Sequence, residues 1–79
     1  MLFQKLTLKR HYFKDRPDWK LINEDVPIGT VYIMVDINMG NITWKDTGET
    51  RRIPIVGVFK YYGETIEDVG WLPEEVFED

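Results

Sequence analysis

The chain has 79 residues, a formal net charge of −4 and no cysteine. One domain spanning residues 1–79 fits that length, and disulfides and thiolate metal sites are excluded. No apolar run approaches the roughly 20 residues that cross a membrane, and Met1-Leu2-Phe3-Gln4-Lys5 does not open like a secretory signal, so a soluble, cytoplasmic, stand-alone protein is expected.

Residues 2–13 alternate, with Leu6, Leu8 and Tyr12 separated by Thr7, Lys9 and His11, as in a strand with one wet face. Residues 14–30 break the pattern and read as a long loop. Asp15-Arg16-Pro17-Asp18 is turn chemistry, Pro17 suits the start of a helical turn through Trp19, and Val26-Pro27-Ile28-Gly29-Thr30 is a second turn signal. Val31, Ile33, Val35 and Ile37 then share a strand face, with Tyr32, Met34 and Asp36 on the other. Asn38-Met39-Gly40-Asn41 predicts a hairpin turn, a short strand follows over 42–44, and Asp46-Thr47-Gly48-Glu49 predicts another turn.

The longest predicted strand covers 50–62 and is apolar on both faces. Gly57 suggests a bulge there, and Pro54, which has no N–H for a ladder, suggests an edge. A turn at 62–65 leads to a last strand over 66–72. Pro73 then fixes the backbone just as Glu74 and Glu75 begin, which reads as one short helical turn. Alanine, the strongest helix former, is absent, whereas 21 residues are β-branched and 11 aromatic. The expected fold is therefore all-β, a small five-stranded barrel closed by a C-terminal helical turn.

Gly70-Trp71-Leu72-Pro73, followed by a single turn, resembles the closing motif of SH3 domains. The loop at 14–30 and the turns at 38–41 and 46–49 follow that family's loop order. The resemblance implies an SH3-like barrel whose loops flank an aromatic groove for proline-rich peptides. The sequence departs from the family at Val76, where a tyrosine is usual, and Trp44 stands alone where tryptophans are usually paired.

Catalytic apparatus is not evident. Serine and cysteine are absent, which excludes the common nucleophile–histidine arrangements. His11 is the sole histidine, so no metal site is expected and no cofactor is called for. Asp46-Thr47-Gly48 matches the short aspartic-protease signature, but Lys45 replaces the apolar residue leading into the aspartate, and the tripeptide suits a hairpin turn. Asp36-Ile37-Asn38-Met39-Gly40 begins like a calcium loop but lacks the third oxygen ligand and the final glutamate.

Three readings of function remain. The leading one is a non-catalytic protein-binding protein, a regulator or inhibitor of a larger partner, with viral or mobile-element origin suggested by its size. Its contacts are expected from Tyr12, Trp19, Tyr32, Trp44, Trp71 and Pro73, because tryptophan and tyrosine are frequent interface anchors and long loops are often functional. The second is nucleic-acid binding through Lys5, Lys9, Arg10, Lys14, Arg16 and Lys20, which give the first 22 residues a positive balance. The third is a homo-oligomeric structural protein that pairs its edge strands.

Overall fold

The computed structural model describes the backbone of residues 3–62 and 65–79 and the side chains of 3–60 and 70–79. Four strands, β1 (Gln4–Thr7), β2 (Val31–Thr43), β3 (Thr50–Tyr62) and β4 (Thr65–Pro73), form one antiparallel sheet in the order of the chain. A 3-10 turn, η1 (Glu74–Phe77), follows Pro73 where the proline and the acidic pair place it. The chain is thus all-β with a short C-terminal turn. Among the described residues the sheet is open and has four strands, where five in a closed barrel were expected.

The missing strand has a local cause. The chain does not turn at 38–41 but runs straight through as β2, with Asn38 opposite Ile55 and Gly40 opposite Ile53. A side chain at position 40 would come within 2.9 Å of the Ile55 Cδ1 methyl, so the glycine makes room for close packing rather than for a reversal. The expected strands at 31–37 and 42–44 are therefore one. The reversal expected at 46–49 does form, held by Gly48 N–H donating to the Trp44 carbonyl at 2.8 Å and Trp44 N–H donating to the Glu49 carbonyl at 2.9 Å. The predicted turn at 62–65 falls at Gly63 and Glu64, outside the described residues.

β1 is shorter than the 2–13 alternation predicted, because the chain leaves the sheet after Thr7 and folds over one face. Leu8 is held at that exit, its N–H on the Thr30 carbonyl and its carbonyl accepting the Gly29 N–H. Residues 8–30 form the long loop. Within it a tight turn at 16–19 replaces the expected helical turn, and Tyr12 bridges Lys20.

β3 keeps regular alternation, and its neighbours bend around it. β2 carries an extra residue at Val35 and β4 one at Val69. The bulge expected at Gly57 thus lies in the flanking strands. Gly57 is needed instead for close approach, since a Cβ there would sit 3.4 Å from both the Trp71 ring and Asp36 Cβ. Pro54 meets its expected constraint in a different way. Its partner Met39 gives its N–H to Asn38 Oδ1, so the Met39 amide faces away from β3. Pro54 in the same pair faces the other way, toward β4, whose pairing ends one step earlier at Ile55–Pro73. The missing donor falls where there is no ladder to complete.

Two clusters make the interior. The larger joins Leu8, Tyr32, Val56, Val58, Leu72, Val76 and Phe77, with Leu6, Leu21, Ile22, Val26 and Met34 at its margin. Tyr32 meets Phe77 edge to face at 5.4 Å. The smaller lies at the β2–β3 tip, where Trp44 is fully buried against Phe13 and Trp19, each 5.6 Å between ring centroids. The guanidiniums of Arg16 and Arg51 also lie over the Trp44 ring, 5.2 and 4.6 Å from its centroid.

Candidate functional site

Strand alternation sorts β3 cleanly. Val56 and Val58 point into the larger cluster, so Ile53, Ile55, Gly57 and Phe59 line the opposite face. On that face Ile33 stands opposite Phe59, Trp71 opposite Gly57, and Pro73 opposite Ile55. The face of the sheet opposite Val56 and Val58 therefore carries an apolar stripe, which the long loop meets at Phe13 beside Ile53 and Pro73. Trp71 lies across its middle, directly over Gly57, and is 48 % exposed. A groove of about 210 Å³ runs beside it, bordered by Val35, Asp36, Gly57, Phe59 and Gly70. A second groove, of about 160 Å³, is floored by Phe13, Ile53, Pro54 and Pro73 and rimmed by Glu74, Glu75 and Glu78.

The six aromatic and proline positions singled out above separate by burial. Tyr32 at 1 % and Trp44 at 0 % exposure are interior residues and present nothing to a partner. Trp19 and Tyr12 are half-buried, and Trp19 spends one face on Trp44. Pro73 lines the second groove, and Trp71 is the exposed member of the set. Trp71 and Pro73 share a strand face, while Trp19 belongs to the tip cluster, so the set is not one surface. Val35, Gly57 and Phe59 complete the Trp71 groove and were not among the contact residues expected from the sequence. Their signal was the apolar character of both faces of β3.

The basic N-terminal third folds onto acidic and carbonyl oxygens. Lys9 Nζ lies 3.2 Å from Asp79, Lys14 Nζ donates to the Asp79 carbonyl at 2.8 Å, and Arg10 donates to the Glu78 carbonyl. Arg16 pairs with Asp46 at 2.8 Å, and Lys20 sits 4.0 Å from Glu24. Lys5 also has a partner. Within the chain, carboxylates thus face Lys9, Arg16 and Lys20, and carbonyl oxygens face the side chains of Arg10 and Lys14. His11 donates its Nε2 hydrogen to the Val26 carbonyl at 2.6 Å. Among the described residues no group of three or more histidines and carboxylates is placed to hold a metal ion.

The long loop is latched to the β2–β3 tip by two crossed ion pairs, Arg16 to Asp46 at 2.8 Å and Arg51 to Asp15 at 2.6 Å, with Glu49 a second partner for Arg51 at 2.7 Å. The hydrogen bond from Arg51 holds the Asp15 carboxyl below its ordinary value of 3.8, and that from Arg16 does the same for Asp46. A carboxyl depressed on folding stabilises the fold above its unfolded value and loses that contribution as pH falls through the folded one. Near-UV circular dichroism of the tryptophan cluster is therefore expected to hold from neutral pH down to 3.8 and to change below it. In an Asp15→Asn, Asp46→Asn double variant this change should largely vanish; an unaltered acid transition would place the titrating groups elsewhere.

Compared with protein families, curated proteins and solved structures, the chain matches none.

Proposed function

We propose that the chain is a non-catalytic protein-binding module that regulates or inhibits a larger partner through its outer sheet face. The observation that carries this reading is Trp71, a large ring half in solvent at the centre of an apolar stripe, seated on a glycine that lets it lie flat. Buried apolar surface drives association, and tryptophan is among the side chains that most often dominate it. Asp36 borders the Trp71 groove, so the face suits a partner segment with an apolar side chain beside a cationic one. The engaged N-terminal lysines and arginines make this reading stronger than phosphate binding.

The SH3-like barrel is the finer fold within the same proposal. The Gly70–Pro73 stretch with its 3-10 turn supports it. So do the amides of Lys9 and Arg10, which donate to the Val76 carbonyl and draw the segment after β1 to the turn after β4.

Affinity capture with the wild type, followed by calorimetry on the purified partner, tests the reading. Trp71→Ala is expected to weaken binding by at least about tenfold, as befits an interface anchor. Its stability should change by less than about 1 kcal/mol, as at most exposed positions. Unchanged affinity in a folded Trp71→Ala variant would remove this face from the interface.

A further inference from the structure

β1 pairs with β2 only over Val31 to Met34, so residues 35–43 of β2 have no neighbouring strand on that side among the described residues. Such an edge offers a row of free amides and carbonyls to any passing strand. Here part of the row is already taken. Ile37 N–H donates to Asp36 Oδ1 and Met39 N–H to Asn38 Oδ1, both at 2.8 Å. Both amides therefore face outward, and by the antiparallel alternation those of Asn41 and Thr43 do too. The residues before these last two, Gly40 and Ile42, have no side-chain acceptor to offer. Ile37 and Met39 themselves are 59 % and 43 % exposed.

We infer that Asp36 and Asn38 are built-in caps that keep this edge closed, and that the partner they hold off is β2 of a second copy. An antiparallel pairing of two identical edges about Asn38 sets Ile37 of each copy against Met39 of the other. Both belong to the outward-facing amide set, so that register would close two reciprocal pairs of N–H to carbonyl bonds, four in all, at the two amides now capped in each copy. It also places the two exposed apolar side chains of one copy on those of the other. Asp36, the one charged residue in 35–43, falls opposite Gly40, so no like charges meet. Other edges of proteins are protected by bulges and charges. This one has the Val35 bulge at its start and two side-chain caps beyond it.

Sedimentation velocity tests the inference. The wild type should remain a monomer, and an Asp36→Val, Asn38→Val variant should sediment at twice the mass. Adding Met39→Pro, which removes an outward donor without touching the β2–β3 ladder, should return that variant to monomer. A dimeric wild type, a monomeric double variant, or association that survives the proline would each overturn it. Amide hydrogen exchange on the wild type gives an independent reading that needs no variant to fold. Ile37 and Met39 should exchange more slowly than Asn41 and Thr43, and equal rates at all four would show the caps absent.

Discussion

Replacing Trp44 with alanine is expected to lower folding stability by about 3–5 kcal/mol, the usual result of emptying a buried aromatic site. A chain of this length holds only about 4–12 kcal/mol in total, so much of the Trp44→Ala population should be unfolded without ligand. The effect is large because Trp44 is the common surface for four side chains. Phe13 and Trp19 pack on it, and Arg16 and Arg51 stack over it before reaching Asp46 and Asp15. Removing the ring loosens the loop latch together with the β2–β3 tip. Trp44→Phe should be far milder. The indole Nε1 is buried with no hydrogen-bond partner, so phenylalanine forfeits volume but no bond. Urea unfolding of the two variants gives the comparison, and equal losses would mean that the ring's bulk is not what matters.

Val76→Asp should be more severe and abolish cooperative folding. Val76 is fully buried in η1 and belongs to the larger cluster with Val56, Val58 and Leu72. Its carbonyl accepts the N–H groups of Lys9 at 2.8 Å and Arg10 at 3.3 Å, so the turn joins the start of the long loop to the end of β4. A carboxylate there would be buried in the cluster of Val56, Val58 and Leu72, at a cost of several kcal/mol after relaxation. That is comparable with the whole stability of the domain. Circular dichroism against urea should show no sigmoidal transition, whereas Val76→Ile should keep one and lose about 1–3 kcal/mol to overpacking. A wild-type-like transition in Val76→Asp would show that η1 can lift away without unfolding the sheet.

Much of the sheet was legible because β-branched and aromatic residues alternate with polar ones or crowd together through 31–37 and 50–62. The merger of two predicted strands into β2 was not. Asparagine and glycine at 38–41 carry the chemistry of a turn, and only the three-dimensional fit of Gly40 beneath Ile55 shows why they lie in a strand. The interior was harder still. β3 is apolar on both faces, so no period could say that Val56 and Val58 point inward while Ile55 and Phe59 do not. For the same reason Trp44 and Trp71 looked alike in sequence, one at the end of a strand and one near it. Their opposite fates depend on the long loop, which covers the first and leaves the second bare. Charge asymmetry proved readable only in part, since the positive third and acidic remainder meet through contacts such as Lys9–Asp79 that no local pattern reveals.

That meeting of distant segments also governs how the chain is made. Leu8 and Tyr32 share a cluster with Val76 and Phe77, and Lys9 and Arg10 find their acceptor at Val76. On a ribosome, the early strands emerge with one wall of their interior still unsynthesised. Contacts this remote in sequence also close slowly. Until residues 76–77 arrive the nascent sheet keeps part of its apolar surface exposed, the state in which chains are prone to aggregate.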